Sequence, residues 1–123
     1  VEELERRGTV VEYYDVRGDT PESLAEELRT RGPVDEGRRR VAFFRWHVRW
    51  RWPKDGAGRP RYDSPELHVK TSLLLPCRRD ERDSENRALA ARWKRFMDAV
   101  AGHEAEHEKI FREGVVRLVS LLR

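Results

Sequence analysis

Between Val41 and Trp52 apolar and polar residues alternate with period two. Phe44, Trp46, Val48, Trp50 and Trp52 fall on one face, and Arg45, His47, Arg49 and Arg51 on the other. The alternation predicts a strand that is apolar on one side and cationic on the other. Val10 to Val16 is rich in β-branched and aromatic residues and is followed by Gly18, which reads as another strand. Thr20-Pro21 then starts a helix, with a capping hydroxyl and a ring that forfeits no needed N–H at the first helical position. Leu24 and Leu28 share one face of that helix, and Gly32-Pro33 ends it. Pro53 to Pro60 reads as a polar loop, and Leu67 to Leu75 as a strand that pairs with Val41–Trp52 as a hairpin and ends at Pro76.

From about Ser84 to Leu122 the apolar period changes to that of a helix. Leu89, Trp93, Phe96, Met97, Val100, Phe111, Val115, Leu118 and Leu122 form one stripe, with Gly102 and Gly114 as places for a kink or short break. The elements predict one α+β domain over residues 1–123. Its expected form is a small antiparallel sheet with one apolar face under the long C-terminal helix, plus one short N-terminal helix.

Composition narrows the picture. In 123 residues, 37% are hydrophobic and 40% charged, so the core must be thin, and eleven aromatic side chains are available to build it. No apolar run approaches the roughly 20 residues of a membrane span. The net charge of +3 is the small difference of two large numbers and does not of itself point to nucleic acid. Cys77 is the sole cysteine, so no internal disulfide framework is available. The chain opens Val1-Glu2-Glu3-Leu4-Glu5, without Met and without an apolar signal segment, which leaves open the trimming of a targeting peptide.

The chemistry lies in His103-Glu104-Ala105-Glu106-His107, a match to H-E-x-x-H. Residues four apart on a helix sit one above the other, so both imidazoles can reach one zinc ion, with Glu104 beside them as a base for an attacking water. On the wheel, His103, Glu104 and His107 project onto the stripe of Trp93, Val100 and Phe111, while Glu106, Glu108 and Glu113 project elsewhere or to its edge. Two histidines and a carboxylate on a core-facing stripe are costly unless partners or a metal satisfy them. The plain alternative is a solvated charged helix with boundary histidines.

A third ligand is harder to read. The extended motif with a further histidine is absent, because Ile110 and Arg112 occupy the wrong places, and Glu113 points away from His107. The upstream candidates are His68 and His47, although alternation puts both on the polar faces of their strands, and only a bulge or strand edge would re-aim them. Cys77 is a weaker candidate. Tyr13, Tyr14 and Tyr62 are candidate donors to a developing oxyanion, with packing as their ordinary role.

A family likeness runs along the same residues. Tyr13-Tyr14-Asp15-Val16 leading into Gly18-Asp19-Thr20-Pro21, Arg31-Gly32-Pro33, the Arg45-Trp46 to Trp50-Arg51-Trp52 strand, Leu75-Pro76, and Trp93 ahead of His103-Glu104 and His107 appear in that order. Over roughly residues 10–115 the chain resembles a bacterial domain-of-unknown-function family catalogued as predicted secreted zinc-dependent proteases. The resemblance implies a secreted or periplasmic location, zinc held by His103 and His107, and Glu104 as catalytic base. The chain departs from the family pattern at Glu106, where glycine is frequent, and at Pro76-Cys77-Arg78, where Pro-Arg-Trp is usual.

The leading expectation is therefore a zinc-dependent metallohydrolase, a peptidase acting on peptide or protein substrates. Two other classes compete. Arg45, Arg49 and Arg51 with Arg38-Arg39-Arg40 would make a basic face for nucleic acid, but the tryptophans lie on the opposite face and leave it without a stacking platform. A non-catalytic interaction domain with a structural metal, or none, is the third.

Overall fold

The structure is a computed structural model that describes residues 1–79 and 86–122. Its elements are α1 (Glu2–Arg6), β1 (Val10–Val16), α2 (Pro21–Arg31), β2 (Val34–Asp35), β3 (Arg38–Arg39), β4 (Phe43–Arg51), β5 (Glu66–Arg78) and α3 (Arg87–Leu122). The class is α+β, as the patterning predicts. Two helices rather than one precede the sheet's β4–β5 hairpin, because α1 is too short to show a period. The expected start of the last helix near Ser84 falls outside the described residues.

α2 forms for the local reasons visible in its sequence. The Thr20 side chain accepts from the Ser23 amide at 3.1 Å, and the Ser23 hydroxyl accepts from the Thr20 amide at 3.1 Å, a reciprocal cap behind Pro21. At its end Gly32 has φ −62, so no left-handed turn requires it. Glycine is needed there because a Cβ would collide with the carbonyl oxygen of Arg40. The segment after β3 is thereby pressed against the end of α2. Between them, β2 and β3 form a tight hairpin whose two turn residues, Glu36 and Gly37, both have positive φ (51 and 77), the geometry that matches strand twist.

The main sheet has the order β1-β5-β4. β4 and β5 pair antiparallel from Phe43↔Leu74 to Arg51↔Glu66, the predicted hairpin. β1 pairs with β5 in parallel, from Val10↔Ser72 to Val16↔Arg78, so the sheet is mixed rather than antiparallel. Side-chain alternation carries no strand direction, and the long connection through α2 and β4 permits a parallel return. β5 also continues through Pro76 to Arg78 instead of ending there. Its last β4 partner is at Leu74, so beyond that point β5 has a neighbour on one side only, where proline is tolerated.

α3 runs unbroken through Gly102 and Gly114, so the two glycines make no helix break. At about 1.5 Å per residue it far outspans the sheet it packs on. Two apolar clusters join it to the rest. Leu4, Leu73 and Leu75 pack with Met97 and Val100, and Val16, Leu24 and Leu89 pack with Leu28 and Trp93. Phe111 meets Phe44 edge-on at 6.0 Å and stacks on Trp46 at 5.1 Å, which fixes α3 on the apolar face of β4. Among the described residues no helix is long and apolar enough to cross a membrane.

Candidate metal centre

One turn of α3 concentrates the chemistry. The ligand atoms of His103, Glu104 and His107 all lie within 4.8 Å of one another, close enough to hold one metal ion. The two imidazole centroids are 4.3 Å apart with their planes at 64°. Helical geometry alone produces this proximity, and the sheet decides which side chain points inward. Glu104 is only 5% exposed, whereas His103 and His107 are exposed. The expected core-facing stripe thus holds for the carboxylate alone: both rings lie at the exposed boundary of the helix face, as in the plain alternative, because the sheet covers only the Glu104 side of the turn.

The group lies on the wall of a cavity of about 820 Å³. From α3 the wall takes Phe96, Ala99, Val100, Ile110 and Phe111 as well as the triad, and the facing wall takes Asp35, residues 40–44 and Trp46. The collision that demands Gly32 and the hydrogen bond from the Tyr14 hydroxyl to the Val41 carbonyl (2.5 Å) both hold the facing wall in place. Burial pushes the Tyr14 phenol up to about 12.

Among the described residues, Glu104 Oε2 is buried without a hydrogen-bond partner. His107 Nδ1 lies 3.3 Å from it, close enough for attraction to a protonated ring but not aligned as a hydrogen bond. A buried carboxylate oxygen left in this state is a costly feature that a cation would relieve. The two imidazoles are donors suited to a borderline-soft divalent ion such as zinc, and the Glu104 carboxylate beside them supplies a compensating negative charge without being needed as a ligand. On both counts the residues fit a metal.

The third-ligand candidates behave differently. In the β4–β5 register Arg49 faces His68 and His47 faces Lys70, while Phe44 faces the buried Leu73. His47 and His68 therefore lie on the sheet face opposite α3, both exposed, and the structure does not bring them to the His103–His107 pair. No bulge re-aims them, because the β4–β5 register is continuous across both. Cys77, at the far end of β5, is free and does not join the group. Tyr13 is 53% and Tyr62 65% exposed, and neither lines the cavity. Tyr14 donates to backbone instead.

Two features escape the sequence reading. Asp35 and Arg40, in and beside the β2–β3 hairpin, line the cavity across from the histidines; the Asp35-Glu36-Gly37 turn is the signal that could have placed them. Glu108, expected off the stripe or at its edge, is 2% exposed. It accepts from Arg7 of the α1 end at 3.2 Å and from Arg112 one turn along α3. Only tertiary structure brings Arg7 to it.

Comparison with known proteins finds no matching curated protein and no matching solved structure. A family model does match, over residues 11–123, which takes in the sheet, the cavity walls and the whole of the His103–His107 turn. The chain belongs to DUF922, a bacterial family of proteins of unknown function.

Proposed function

We propose that this protein is a zinc-dependent metallohydrolase cutting amide bonds in peptide or protein substrates, with a secreted or periplasmic site of action. The observation that carries the reading is the buried, unpartnered Glu104 Oε2 within 4.8 Å of ligand atoms on His103 and His107, at the wall of an 820 Å³ cavity. His103 and His107 are the side chains that would hold the ion. Zinc bound there would supply Lewis-acid polarisation of a carbonyl and acidify water towards neutral pH.

The chain's own residues account for the rest. Glu104 is held by burial beside the two rings, where it takes up the proton that an attacking water gives up. The exposure of both imidazoles towards the cavity leaves room for a substrate, as a catalytic site needs and a closed structural site does not provide. Phe44, Val100 and Phe111 keep the adjoining wall apolar, which strengthens charge interactions at Glu104.

The test is elemental analysis of purified protein. The expected result is about one zinc per chain in the unmodified protein and its loss in His103→Ala, with circular dichroism showing α3 intact. Protein that takes up no zinc when refolded with it overturns the proposal. Zinc retained without hydrolysis of any peptide pool favours the non-catalytic metal-binding reading.

A further inference from the structure

β4 is the edge strand of the main sheet, and along Phe43–Arg51 its outer backbone edge has no strand partner among the described residues. An unpaired edge offers a row of N–H and C=O groups that only another extended backbone satisfies. Its two faces differ chemically. Trp46 is 59% and Trp50 50% exposed on the α3 side, in line with Trp52, whose ring lies 6.3 Å from Trp50. Arg45 and Arg49 project on the other side, both exposed; Arg49 has no ion pair among the described residues.

We propose that the β4 edge binds an extended polypeptide whose residues alternate apolar and acidic. A strand added there places successive side chains on opposite faces, so one set lies against the tryptophans and the other against the arginines. The edge is continuous with the candidate metal centre: Phe44 and Trp46 line that cavity and also a second one, about 610 Å³, bounded by residues 34–36 and 43–46. A second copy of this chain is the wrong occupant. β4 paired with itself would set arginine against arginine, and like charges opposite one another repel. The inference rests on the metallohydrolase reading only in taking the bound strand for a substrate; the binding itself requires no metal.

The experiment is a fluorescence-polarisation titration of a short dye-labelled peptide alternating leucine and glutamate, against the Glu104→Gln chain, which leaves the peptide uncut. The expected result is saturable binding that weakens about threefold to fivefold in Trp50→Ala and in Arg49→Glu, the latter turning the preference towards a leucine–lysine peptide. N-methylation of alternate peptide amides should abolish it. Equal affinity for the glutamate, lysine and N-methylated peptides overturns the proposal, as does binding unchanged by Trp50→Ala. So does concentration-dependent dimerisation in sedimentation that the peptide does not disrupt. A chain that binds the peptide but never zinc sinks only the metallohydrolase; one that binds zinc but not the peptide sinks only this inference.

Discussion

Glu104 and Glu108 sit one turn apart on the same helix, and at 5% and 2% exposure both are taken out of water. Their surroundings are opposite. Glu108 faces α1 and is held by Arg7 and Arg112, so its charge is neutralised and its oxygens are used. Glu104 faces the cavity and, among the described residues, keeps one buried oxygen without a hydrogen bond and has a half-exposed imidazole as its only ionic neighbour. The fold satisfies one buried carboxylate with two guanidinium groups and leaves its neighbour unsatisfied beside two histidines, a contrast that the proposed function reads as a structural acid next to one kept for a ligand. The difference between them can be broken from either end.

The largest effect expected is on catalysis. Glu104→Gln keeps shape and volume but removes the base, so the proposed peptide hydrolysis should fall about 10²- to 10⁴-fold while zinc content stays at the unmodified level. Because the replaced oxygen has no hydrogen bond to lose and its charge is costly to bury, the melting temperature should not fall. Kinetics, metal analysis and a thermal melt on the same preparation check all three. A large fall in melting temperature would show Glu104 to be structural after all and erase its contrast with Glu108.

The same substitution one turn further on should do the reverse. Glu108→Gln leaves two arginines facing a neutral amide and is expected to destabilise the fold by about 2–3 kcal/mol. That is below the range for a fully buried pair, because the Arg7 and Arg112 side chains are 39% and 47% exposed and keep access to water. For a domain of this size the melting temperature drops by about 10 °C, with zinc content per folded chain unaffected. Urea unfolding of Glu108→Gln, Arg7→Gln and the double variant measures the coupling; purely additive losses would mean that the pair carries no stability of its own.

The contrast also explains what could be read from the sequence. His103, Glu104 and His107 were legible because helical spacing is local: three side chains within one turn meet whatever surrounds them. The periods of β4 and β5 were legible for the same reason, and they placed His47 and His68 on the face away from α3. Glu108 was not, since the partner that lets it be buried, Arg7, lies 101 residues away. The parallel pairing of β1 and the passage of β5 through Pro76 were likewise set by which strand lies alongside, and alternation is blind to that. The β2–β3 hairpin, which adds Asp35 to the cavity wall, is too short for any period to reveal.

Tyr14 extends the comparison to a neutral group and gives the smallest effect. Its hydroxyl is satisfied by the Val41 carbonyl, and burial raises its pKa from the ordinary 10.0 to about 12. Between those two values the folded chain holds a proton that the unfolded chain has lost, so stability must fall as pH rises. The contribution is whole below pH 10 and disappears as pH climbs towards 12. Tyr14→Phe removes both the bond and the ionisation, at a cost of about 1 kcal/mol near neutral pH. Its unfolding midpoint in urea should decline less steeply than that of the unmodified chain from pH 10 upward. Parallel pH profiles for the two proteins would mean that Tyr14 ionises as freely in the fold as outside it, and that the Val41 end of the cavity wall is not fastened by this bond.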